Sequence, residues 1–164
     1  MKKNLVLALC LVLLLCGCSD FTYAPEENPE WAQAGITVVE FEERLQEKGF
    51  EVGNCAGWYI TGKKGNQVIV ARNDWTAYAY DEDTVAEVRI YTISKAPPDE
   101  NFEKIEKGMD LFQVVELIGD VPMFLWSNMA QNHQDSKGDY YSITWEYDEE
   151  TQKGVVKEVS KFEE

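Results

Sequence analysis

The order of apolar and polar positions divides the chain into a short unbroken apolar run, a polar stretch, and two segments that each pass from a helical period to strand periods. Leu5 to Leu15 is almost continuously apolar and follows Lys2 and Lys3. Ser19 to Ala34 holds Pro25, Pro29, four acids and few periodic apolar positions, so residues 18–34 read as a flexible tether. Thr37-Val38-Val39-Glu40 then has the form of a capping box, with Ile36 and Phe41 at the two positions of a hydrophobic staple. Val38, Phe41 and Leu45 form one stripe and Gly49 supplies a left-handed stop, which predicts a helix over residues 38–48. Strands are expected from Trp58 to Thr61 and from Gln67 to Ala71 around the turn Lys63-Lys64-Gly65-Asn66. Two more are expected from Trp75 to Tyr80 and from Val85 to Ile93 around Asp81-Glu82-Asp83. Pro97-Pro98-Asp99-Glu100-Asn101 breaks the pattern and separates an N-terminal region, 35–98, from a second, 99–164.

The second region uses the same grammar. Asp110 is placed as an N-cap with Gln113 at the box position, Met109 and Val114 form the staple, and Gly119 ends the helix before Val121-Pro122. Its stripe is Leu111, Val114, Val115 and Ile118, and strands are expected from Tyr140 to Tyr147 and from Gly154 to Phe162. Gly35-Ile36-Thr37 precedes Gly108-Met109-Asp110 by 73 residues, and Gly49 precedes Gly119 by 70. Tyr80 to Thr84 precedes Tyr147 to Thr151 by 67. A tandem repeat accounts for this recurrence, and so do two unrelated helix-plus-hairpin units. The fold class is α+β, with helices packed on antiparallel sheet.

Ile105-Glu106-Lys107-Gly108-Met109-Asp110, followed by Val114-Val115-Glu116-Leu117-Ile118-Gly119 and Val121-Pro122, resembles the signature of the BamE-like family of small lipoproteins. Asp110 stands where that family has threonine, and both cap a helix. Asp120-Val121-Pro122 carries one residue more than the family pattern, and Trp145 and Tyr147 sit where the family places strand aromatics. The resemblance covers residues 104–162. It implies helices on a three-stranded antiparallel sheet, a fold shared with the tandem-repeat β-lactamase inhibitor protein. It also implies action by binding other proteins and not by catalysis. The part played by one member in outer-membrane barrel assembly is not carried over, because the first half of this chain has no counterpart in the single-domain form.

Residues 1–17 resemble a lipoprotein signal peptide. Leu15-Cys16-Gly17-Cys18 matches the lipobox, with an aliphatic residue three before Cys18 and glycine just before it, whereas Cys16 is preceded by leucine. A transmembrane anchor is the competing reading, but the run ends at Gly17 and a span needs about 20 residues. The expectation is cleavage before Cys18, acyl chains such as palmitate on that cysteine, and an extracytoplasmic place at the cell membrane, or at the outer membrane in a Gram-negative cell. A tether of 16 residues at no more than about 3.6 Å each would reach up to roughly 55 Å.

Charge and chemistry narrow the function. Without residues 1–17 the chain has 13 basic and 30 acidic residues, a formal charge of −17, which repels nucleic acid. A well-solvated surface and a basic partner both fit that charge. Cys55 is the one cysteine left after the signal and lipid site, so a disulfide framework is excluded. Cys55 and the single histidine, His133, could form a thiolate pair, yet the string around Cys55 is not papain-like and an idle thiol is the plainer account. One histidine does not make a His-rich metal site, and the acidic triplets at 81–83 and 148–150 lack the glycine and final glutamate of an EF-hand. No cofactor, metal or catalytic residue is assigned, and the chain is read as a non-catalytic protein-binding module. The alternative is a cell-envelope hydrolase with a carboxylate-based site. Tyr141, Ile143, Trp145 and Tyr147 share a strand face expected to form core, as Tyr78 and Tyr80 share another. Met123-Phe124-Leu125-Trp126 is either buried packing or an exposed apolar patch, and Trp126, Phe124 and Met123 are the candidate partner contacts.

Overall fold

The computed structural model describes residues 23–74, 82–125 and 130–162. In chain order the elements are β1 (Tyr23–Glu26), α1 (Val38–Glu47), β2 (Glu51–Cys55), β3 (Tyr59–Lys64), β4 (Gln67–Asp74) and β5 (Thr84–Ile93). A 3-10 turn (Asp99–Lys104), α2 (Leu111–Ile118), β6 (Phe124–Leu125), β7 (Ala130–Gln134), β8 (Tyr140–Asp148) and β9 (Lys153–Phe162) follow. The architecture is mixed helix and antiparallel sheet, with strand predominating. No helix among the described residues is long and apolar enough to cross a membrane. The expected signal segment, Cys18, the expected strand Trp75 to Tyr80 with its two tyrosines, Asp81 and Trp126 lie outside the described residues.

Six strands form one sheet in the order β1-β5-β4-β3-β2-β6, and β7-β8-β9 form another. Strand β4 is the centre of the first sheet. Its run Val68-Ile69-Val70-Ala71 is buried on both faces, so apolar side chains do not alternate with polar ones along it. Ile69 and Ala71 join Val38, Phe41 and Leu45 of α1 in one cluster. Val68 and Val70 join Tyr59 and Tyr91 on the opposite face, together with the α2 stripe and with Tyr141, Ile143, Trp145 and Val156 of the second sheet. The layers therefore run α1, six-stranded sheet, α2, three-stranded sheet. Tyr141, Ile143 and Trp145 are buried against α2 as their alternation predicted.

Both helices begin at the predicted residues for the predicted reason. Thr37 Oγ1 accepts from the Glu40 backbone N–H, but Glu40 turns its carboxylate to Arg44 at 2.6 Å, so the expected box at α1 is only half made. At α2 the box closes in both directions between Asp110 and Gln113. Gly49 (φ 79°) and Gly119 (φ 62°) supply the left-handed exits.

The motif before each cap recurs in three dimensions. Gly35 donates to the Val85 carbonyl and Val85 donates back to Ile36, while Gly108 donates to the Val156 carbonyl and Val156 donates back to Met109. Gly35 and Gly108 share the same backbone twist, φ 91° and 90°. Each N-cap is thus pinned to the last strand of its own half, through the isolated bridges Thr37 to Thr84 and Asp110 to Val155.

Two expectations are corrected. Residues from Tyr23 onward are not tether: β1 pairs antiparallel with β5 from Tyr23 opposite Ile93 to Glu26 opposite Ile90, and Ala32 is fully buried. Pro25 fits because an edge strand has one side free of ladder bonds. The break at residue 98 separates two sheets but not two cores, because β6, from the second half, pairs in parallel with β2, and one cluster draws on both halves. Two glycines permit this closeness. A Cβ on Gly53 would lie 2.4 Å from the Met123 carbonyl oxygen, and one on Gly154 would lie 2.4 Å from Trp58 Cε3.

Candidate functional site

The residues singled out in the sequence occupy different places. Cys55 ends β2 inside the larger cluster, its S–H 3.5 Å from the Pro122 carbonyl, and burial pushes its pKa up to about 12. It is a thiol at neutral pH and a poor nucleophile. Met123 is half-buried and packs on the larger cluster, and its backbone abuts Gly53, so packing accounts for it. The backbone of Phe124 pairs with Asn54. The Asp83 carbonyl accepts from Val38 N–H, and Asp148 closes its own turn by accepting from Glu150 N–H and the Thr151 hydroxyl. No group of three metal-binding side chains occurs among the described residues.

His133 leads to a concavity. A cavity of about 600 Å³ opens at the seam of the two halves, and its wall comes from four segments remote in sequence. The β3–β4 hairpin gives Lys63 and Asn66, the joining segment gives Pro97, Asp99 and Phe102, the end of α2 gives Ile118 to Asp120, and β7 with its loop gives Asn132 to Ser136. His133 sits on β7 opposite Tyr141 with its side chain 7% exposed, and the Phe102 ring lies 6.0 Å from the imidazole and 5.0 Å from Tyr141.

Hydrogen bonds fix the polar part of this wall. Lys63 Nζ donates to Asp120 Oδ1 at 2.9 Å, and the other Asp120 oxygen lies 3.6 Å from His133 Nδ1. Burial lowers the His133 pKa below its ordinary value, Asp120 opposes that shift and Lys63 adds to it. The ring is therefore neutral at neutral pH. At 3.6 Å the Asp120 oxygen acts on the ring through its charge and not through a hydrogen bond. Asp99 accepts from the Ser136 hydroxyl at 2.7 Å and from its backbone N–H at 2.8 Å, and these bonds hold its carboxyl below the usual carboxylate range. Asp135 accepts from the backbone N–H groups of Lys137 and Asp139. The Ser136 hydroxyl is committed to Asp99, so the serine, histidine and aspartate of this wall are not arranged as a nucleophilic relay.

Of these residues the sequence had marked only His133. Asp120 carried one usable signal: it belongs to the segment Asp120-Val121-Pro122, read from the sequence as one residue longer than the pattern it resembles, and it brings its carboxylate between Lys63 and His133. Nothing in the sequence linked Asp99 to Ser136, which are bonded across 37 positions.

A second feature is a free surface. Strand β8 turns Ser142 and Thr144 away from α2, and Tyr140 stands directly opposite Phe162 on that same outer face. Tyr140 is 42% and Phe162 58% exposed, two of the three exposed large apolar side chains among the described residues. A scan of the chain against protein-family models finds no match, and searches of curated proteins and of solved structures find none.

Proposed function

We propose that this chain is a lipid-anchored lipoprotein of the extracytoplasmic cell envelope whose folded part binds another protein and performs no catalysis. The observation that carries the reading is the outer face of β7-β8-β9, where Tyr140 and Phe162 lie side by side in solvent above short polar side chains. Aromatic side chains dominate interface hot spots, and a sheet with one face packed leaves the other for a partner. The net charge of −17 favours a basic one, encountered faster at low salt. The fold that accompanies this reading is the BamE-like one in tandem, and the matching hydrogen bonds of Gly35 and Gly108 support it.

Anchoring and binding fit together through a short link. With β1 starting at Tyr23, five residue steps join it to Cys18, a reach of about 18 Å at ~3.6 Å per step. The domain would work close to the bilayer and not roughly 55 Å away. A cell-envelope hydrolase is the second reading, favoured by the three carboxylates on the seam cavity. It needs one carboxyl protonated near neutral pH, and Asp99 shifts the other way.

Metabolic labelling with a fatty acid tests the anchor. The wild type should take up label, and Cys18→Ala should take up none and keep its signal segment. Label on the Cys18→Ala protein would overturn the assignment.

A further inference from the structure

The seam cavity has a charge pattern that the protein-binding reading does not use. Its volume of about 600 Å³ falls in the range of small-molecule pockets, which run from roughly 300 to 1,000 Å³. Val68, Ile93, Phe102 and Ile118 give the wall an apolar portion, while Asn66 and Asn132 bring side-chain amides to it. The charged groups of its lining are three carboxylates, Asp99, Asp120 and Asp135, against one ammonium, Lys63, a net of −2 with His133 neutral, and Lys137 stands just outside, 3.9 Å from Asp99. Helix α2 also ends here, at Ile118 and Gly119, and the carbonyl end of a helix carries partial negative charge.

We infer that this cavity is a binding site for a small organic cation, a molecule that carries a protonated amine on an apolar body. An anion of the same shape would meet the net −2 wall and the negative end of α2 together. A neutral molecule would find the apolar wall but leave the field unused. An amine uses both: its ammonium sits toward Asp120 and the end of α2, and its body lies against Phe102, Ile118 and Val68. The acids elsewhere are scattered over the surface, whereas three line the wall of one concave volume and add their fields there. Lys63 opposes the ligand's charge, and Asp120 already occupies Lys63 at 2.9 Å. The two residues therefore set the affinity in opposite directions.

Three probes of one shape test this: benzylamine, benzyl alcohol and benzoate, titrated into the intact lipoprotein in a non-ionic detergent and followed by amide proton–nitrogen NMR. Benzylamine should shift the backbone amides of Gly119, Asn132 and Ser136 in a saturable way, benzyl alcohol should do so more weakly, and benzoate not at all. Asp120→Asn should weaken benzylamine by about threefold or more and Lys63→Met should tighten it by a similar factor, the scale of one unit charge several ångströms away in a partly solvated wall. Amides remote from the cavity report that both variants stay folded. The inference is wrong if benzoate binds as tightly as benzylamine. It is equally wrong if the amine's shifts spread over the acidic surface without saturating, or if neither substitution changes them.

Discussion

Replacing Gly53 with alanine should unlock the seam between the two halves. The added Cβ would lie 2.4 Å from the Met123 carbonyl oxygen, 2.6 Å from Met123 Cα and 2.5 Å from Thr61 Oγ1. Two of those atoms are backbone, so no rotamer change relieves them, and β6 must retreat from β2 by about 1 Å to restore ordinary contact. Retreat strains the Thr61 hydroxyl bond to the Pro122 carbonyl, 2.7 Å long and buried, and the parallel pairing of Asn54 with Phe124. Overpacking costs about 1–3 kcal/mol and a lost buried hydrogen bond about 1 kcal/mol more, so the loss should be about 2–4 kcal/mol. For a chain of this size that is a fall in Tm of roughly 5–15 °C. Gly62→Ala is the matched control on the neighbouring strand, since its nearest neighbours are side-chain atoms at 3.3 and 3.4 Å, and it should cost less than about 1 kcal/mol. Urea unfolding followed by circular dichroism gives both values. A Gly53→Ala protein within about 0.5 kcal/mol of wild type, or a Gly62→Ala protein equally destabilised, would refute the reasoning.

Two further outcomes follow from the caps and from the buried histidine. Asp110 closes a full box and also pairs with Lys153 at 2.8 Å, whereas Thr37 makes half a box, so Asp110→Ala should cost about 2 kcal/mol and Thr37→Ala about 0.5–1 kcal/mol; equal denaturant midpoints would contradict that order. Because the His133 pKa is lowered in the fold, the unfolded chain takes up its proton first as pH falls, so stability should be level above about pH 6.5 and decline below it by at most about 1.4 kcal/mol per pH unit from this group. His133→Asn should flatten that window in pH-dependent unfolding, and an unchanged slope would show that other groups produce it.

Helix ends and the strongest strand faces were legible because each carries a local signature. Thr37, Asp110, Gly49 and Gly119 announced two helices, and the alternation from Tyr141 to Trp145 announced a buried face. Elements without such a signature were missed. Strand β2 reads Glu-Val-Gly-Asn-Cys with little apolar alternation, and β7, Ala-Gln-Asn-His-Gln, looks like a polar loop because only His133 on it is buried. Pro25 and its acidic neighbours disguised β1 as tether, although an edge strand tolerates them. The seam cavity could not be read at all, since tertiary contacts alone bring Lys63, Asp99, Asp120 and His133 together. The paired aromatics at Tyr140 and Phe162 depend on the β8–β9 register, which a bulge after Thr144 shifts by a residue.

The central claim is that the outer face of the second sheet meets a protein partner. A photo-crosslinking amino acid placed at position 140 of the full-length chain, expressed in its own cells, tests it most directly. The same probe at Glu43, exposed on α1, serves as the control. The account predicts one discrete protein adduct from position 140, its loss when Phe162→Ser is added, and no such adduct from position 43. Adducts from position 43 with none from position 140, or an adduct at 140 indifferent to Phe162→Ser, would contradict it.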